Sequence, residues 1–150
     1  MISGPQLRRI AEKRLEIGRD LIDSGDYTLA IEMFGMALEC ALKACVCETL
    51  KLRYYPDFDG RAERKEITGF FRSHDFDKLL LLAGLQNDFE LRQGNNRRYQ
   101  NWSDATKWDV SDRYEPLDTY SHDDADRVYG ALTKPNAGVL TYIWRNQNDN

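Results

Sequence analysis

The sequence predicts an all-α helical bundle in a single domain spanning 1–150. Three observations carry that prediction. Apolar residues recur at three- and four-residue steps in the long segments, no stretch alternates with period two for more than a few residues, and the breaks fall at Gly, Pro and Asp. At 150 residues the chain can bury about two-thirds of its unfolded surface without a disulfide or a metal.

The first helix is expected over 6–23. Leu7, Ile10, Ala11, Leu15, Gly18, Leu21 and Ile22 form its apolar stripe, opposite Arg8, Arg9, Glu12, Lys13, Glu16, Arg19 and Asp20. "SGD" at 24–26 ends it, with Gly25 suited to the left-handed conformation and Asp26 able to cap the next helix. That second helix should run from about Tyr27 to Leu52. A small stripe (Ala30, Ala37, Ala41, Ala44) lets a neighbour approach closely, and a bulky one (Ile31, Leu38, Leu42, Val46) lies beside it. Glu32, Glu39 and Lys43 make the one polar strip, and Glu39 and Lys43 stand at i and i+4. A helix apolar on two sides needs two partners, so Ala37, Ala41 and Ala44 are the expected seam of a homodimer, with the last helix as an alternative.

Residues 53–73 read as a loop around Pro56 and Gly60. A short third helix comes next in "HDFDKLLLLAGL" (74–85), capped by His74 or Asp75, with Phe76, Leu79, Leu80 and Leu82 inward. The stretch 86–101 is a hydrophilic insert around Gly94-Asn95-Asn96, helical at 88–93. A last helix starts near Ser121, its acidic first turns suited to the helix dipole, and breaks at Pro135 before Val139–Trp144.

Composition excludes several classes. There are 21 Lys+Arg against 25 Asp+Glu, a net charge of -4, which argues against the broad positive field of a general nucleic-acid binder. "MISGPQLRRIAEKR" lacks an apolar stretch, so no secretory signal is expected, and no apolar run approaches the ~20 residues that span a bilayer. Cys40, Cys45 and Cys47 fall in one helix at spacings that suit neither a disulfide nor a shared metal. They read as buried reduced thiols of a cytoplasmic protein. No phosphate-binding Gly-rich loop, paired-carboxylate constellation or Cys/His metal spacing is present, and the aspartates of 109–126 lack a calcium-loop pattern. No cofactor is implied.

"GDYTLAIEMFGMALE" looks like the first half of a tetratricopeptide repeat. Such repeats are 34 residues long and need about three copies to bury their faces, yet 34 residues past Gly25 lies Asp59 in an interrupted loop. A different pattern covers the chain from about Leu7 to Trp144. "LIDSGDY", "ALECALKA", "HDFDKLL" after a variable loop, and "NWSDATKWDVSDRYEP" before a last helix together resemble the HEPN family. The resemblance implies an antiparallel up-and-down bundle of four or five helices, usually a homodimer. It implies association with a nucleotidyltransferase in toxin–antitoxin or phage-defence settings, or metal-independent ribonuclease activity. The ribonucleases carry an Arg followed four to six residues later by a His, two copies meeting in the dimer cleft.

Only two histidines exist, and neither has that spacing: Arg72 stands two before His74, and Arg113 nine before His122. The spacing matters because Arg must stabilise a pentavalent phosphate while His moves the 2′-hydroxyl proton. Arg113 and His122 can converge only if the loop around Pro116 folds back. His74 beside Arg72 is either a proton-transfer or phosphate-contacting group or a helix cap. Arg113-Tyr114 matches a family hallmark; otherwise Tyr114 packs and Arg113 pairs with a carboxylate, either Glu39 or one of the Asp-rich tail. Arg72, His74, Arg113 and Tyr114 are thus the candidate nucleotide or RNA contacts. Trp102 and Trp108 can stack a base but suit the core better, and the basic run Arg61, Arg64, Lys65 and Arg72, like Arg97-Arg98, can contact phosphate but reads better as solvated surface. The expected function is a degenerate, non-catalytic HEPN-type homodimer that binds a partner. The alternative is a ribonuclease with an Arg/His pair at nonstandard spacing.

Overall fold

The first helix begins where its cap dictates. In this computed structural model, which describes residues 1–56, 69–90 and 97–148, α1 spans Gly4–Asp23. Ser3 Oγ accepts the Gln6 N–H at 3.3 Å while Gln6 Oε1 accepts the Ser3 N–H at 2.9 Å, a reciprocal cap, and Pro5 fits a first turn that needs no donor. The helix closes at Gly25, whose φ of +83° a side chain would disfavour. α2 (Tyr27–Thr49) then runs back along α1. Gly4 lies on Cys47 and Ala44, Arg14 on Cys40, and Gly18 under the Phe34 ring, so positions ascending α1 meet positions descending α2. The pair is an antiparallel hairpin.

α3 (Phe76–Leu82) is next in the chain, capped by Asp75. Then come α4 (Gln86–Glu90), α5 (Arg97–Ala105), a 3-10 helix (Val110–Tyr114), α6 (His122–Thr133) and α7 (Val139–Asn148). Ser121 caps α6 reciprocally with Asp124, and the chain breaks between α6 and α7 at Lys134–Gly138, around Pro135, as the sequence leads one to expect. No described residue lies in a strand, and no described helix is long and apolar enough to cross a membrane. The protein is all-helical over its described residues.

α2 is the axis of the core. Every residue from Ala37 to Cys47 is buried, with α1, α3, α6 and α7 packed around it. Ala37 and Ala41 are 0% exposed and Ala44 2%. The small stripe is therefore covered within one chain, and its apolar character requires no second copy. Two apolar sides on one helix can reflect a helix surrounded by its own bundle, which a one-dimensional pattern does not distinguish from an interface. Trp102 and Trp108 are core residues, with Trp108 seated on Gly35 where a Cβ would overlap the indole. Phe76 touches both indoles, at 6.5 Å between ring centroids. The three cysteines are free and buried. Helix α4 starts at Gln86, two residues before its expected start. Arg61, Arg64, Lys65 and the Gly94–Asn96 turn lie outside the described residues.

Candidate functional site

Among the described residues the buried charges are Glu39 and Lys43, both on the buried stretch of α2. Their side chains are 11% and 10% exposed, and Lys43 Nζ stands 2.9 Å from Glu39 Oε1. The i, i+4 spacing visible in the sequence forms the pair; burial makes it consequential, because a lone charge in this setting would be strongly destabilising. His74 completes the group. Its Nδ1 lies 2.9 Å from the same Oε1, and a carboxylate can only accept, so Nδ1–H donates, which in the neutral ring leaves Nε2 as the acceptor.

Tyr55 holds this arrangement from the other side. Its ring sits 5.1 Å from Lys43 Nζ, its hydroxyl donates to the Phe71 carbonyl at 2.7 Å, and its N–H donates to Ile2 at 2.8 Å. Asp75, not His74, caps α3, accepting the N–H groups of Asp77 (2.9 Å) and Lys78 (3.3 Å). The histidine is released from capping and tied to a carboxylate instead.

Beside His74 opens a cleft of about 320 Å³, lined by Asp75, Asp77, Lys107, Trp108 and Asp109 among others. Asp109 accepts both the N–H and the hydroxyl of Ser111, at 2.9 and 2.8 Å, and the backbone bond foremost holds its carboxyl below the ordinary range. Lys107 faces Asp104 at 3.5 Å. The cleft is acidic on balance, which suits a cationic group better than a phosphate. Next to Glu39, Arg14 Nη1 donates to Cys40 Sγ at 3.2 Å. Burial raises the Cys40 pKa despite that bond, and Cys45 is pushed to about 11, so neither thiol is poised as a nucleophile.

The second Arg/His pair is not assembled. Arg113 lies in the last turn of the 3-10 helix, and Tyr114 is 92% exposed, so the expected packing of Tyr114 and pairing of Arg113 with Glu39 do not occur. His122 opens α6, edge-on to Tyr27 at 5.3 Å, with Nδ1 at 3.7 Å from both Asp123 and Asp126 carboxylates. No hydrogen bond, ion pair or ring contact joins Arg113 to His122. Between them Tyr120 is pinned, its N–H donating to Thr28 Oγ1 (3.1 Å) and its hydroxyl to Asp112 (3.3 Å). Arg72 is exposed two residues before His74. No group of three metal-ligating side chains exists among the described residues.

Sequence reasoning missed the partnership of Glu39 with His74. The one available signal was the presence of two charges on an otherwise apolar helix.

Comparison with models of known families, with curated proteins and with solved structures finds no match to this chain.

Proposed function

We propose that the chain is a degenerate HEPN-type domain, an up-and-down bundle that works as a homodimer and docks a partner protein rather than cutting RNA. A nucleotidyltransferase of a toxin–antitoxin or defence pair is the partner class that the sequence resemblance implies. The observation that carries the non-catalytic part is the separation of Arg113 from His122, with His122 between two carboxylates. Cleavage needs a guanidinium and an imidazole on one phosphate, in a field that does not repel it. The stretch 107–126 instead carries seven carboxylates against Lys107 and Arg113. The all-helical architecture and the fixed α1–α2 hairpin are compatible with the bundle the resemblance implies.

One observation favours the alternative, a ribonuclease using Arg72 and His74. Glu39 orients the His74 imidazole and leaves Nε2 able to take a proton, as a general base requires. Incubating the protein with a short single-stranded RNA, beside His74→Ala and His122→Ala, separates the two. The binding reading expects intact RNA in every sample. Cleavage by the wild type that His74→Ala abolishes, at an unchanged melting temperature, would replace it with the enzyme.

A further inference from the structure

Among the described residues, Tyr114 and Leu117 are the most exposed large apolar side chains after the terminal methionine, at 92% and 71%. Their segment is held in place rather than frayed. Asp109 and Asp112 cap the 3-10 helix reciprocally, Thr119 Oγ1 donates to the Pro116 carbonyl at 2.6 Å, and Tyr120 is bonded to Thr28 and Asp112. Two large apolar side chains three residues apart, presented to water on a constrained segment, offer an apolar contact to a partner. The charge around them specifies the partner. Seven carboxylates and two cations give 107–126 a net charge of -5, so the other residues of this -4 chain sum to +1. Within the cleft, Asp75 and Asp77 stand with Asp109 against Lys107.

Distance links the two features. The 3-10 helix from Val110 to Tyr114 rises about 2 Å per residue, placing Tyr114 about 8 Å along from the cleft edge. An extended chain covers that span in two or three residues at about 3.3 Å each. We infer that the cleft and the Tyr114–Leu117 platform together dock an extended basic segment of a partner protein, one Lys or Arg entering beside His74 and Asp109 and an apolar side chain two or three residues away resting on Tyr114 and Leu117. The inference rests on the binding function proposed above and gives that binding its surface and chemistry. The ionised Asp109 keeps the cleft attractive to a cation at neutral pH.

The test is amide NMR of the full chain titrated with a short peptide repeating Lys-Ser-Leu-Ser, its Glu-Ser-Leu-Ser counterpart, and a short single-stranded RNA. The expected result is salt-sensitive shifts confined to 74–77 and 107–118 with the basic peptide alone. Tyr114→Ser and Leu117→Ser, which alter exposed side chains and leave the melting temperature unchanged, should each weaken binding about tenfold. Absence of shifts at millimolar peptide, shifts elsewhere, equal response to the acidic peptide, or stronger response to RNA at these amides would each overturn the inference. A dimer that leaves RNA intact but ignores the basic peptide would sink this surface and spare the binding function. A protein that cuts RNA yet takes the peptide here would do the reverse.

Discussion

Replacing Glu39 by Gln should cost this protein more than any surface charge could. The substitution keeps the shape of the side chain and removes the charge that compensates Lys43, whose side chain is only 10% exposed. Breaking a buried pair from one side typically costs about 3–5 kcal/mol, because the remaining charge is left without its counter-ion. Two features place this case at the low end. The Gln oxygen can still accept from Lys43, and the Tyr55 ring lies 5.1 Å from the ammonium. The expected loss is about 3 kcal/mol, or a melting temperature lower by roughly 6–12 °C for a chain of this length. Lys43→Met should cost less, about 1–2 kcal/mol, since Glu39 keeps His74. The double variant Glu39→Met/Lys43→Met should return to within about 1 kcal/mol of the wild type. Urea denaturation of the four proteins gives the comparison. A Glu39→Gln variant within about 0.5 kcal/mol of wild type would mean that Lys43 reaches water, and the burial argument for this site would fail.

Gly35→Ala forces the Trp108 indole off α2 and should destabilise by about 1–3 kcal/mol in the same assay; an unchanged midpoint would deny the close approach. Ser121→Ala removes the acceptor for the Asp124 N–H at the start of α6 and should cost about 1 kcal/mol, read as a downward shift in melting temperature. The fold raises the Cys45 pKa from 9.0 to about 11, chiefly by burial, so the folded state holds the thiol proton that the unfolded chain has lost between those values. Stability from this group is present below pH 9 and is lost as pH rises towards 11, on the order of 3 kcal/mol in all. A Cys45→Ala variant should show a correspondingly shallower alkaline decline in denaturation midpoint; parallel curves would count against the thiol as its source.

Several helix ends of this protein were legible because they are set locally. Gly25, Asp75, Ser121 and Pro135 each mark an element end through backbone chemistry within a few residues. The Ser3 cap, which starts α1 two residues before the expected position, and α5, which begins inside the expected insert, were not read. The buried i, i+4 pair was equally local in origin. What the sequence withheld is tertiary. Whether the apolar sides of α2 face its own chain or another depends on where α3, α6 and α7 come to lie, and periodicity carries no such information. The bond from His74 to Glu39 spans 35 residues, and the sequence of 53–73 between them carries no helical period to count from. Tyr114 looked like a packing residue by type, and only the path of 109–120, set by Asp109, Asp112 and Tyr120, leaves it in water.

Solution mass by light scattering at tens of micromolar protein, with short single-stranded RNA present and its length checked in the same sample, tests the non-catalytic homodimer most directly. The expected result is twice the 17.5 kDa of one chain and an RNA that stays whole. A monomeric mass, or an RNA cut to fragments, would contradict it.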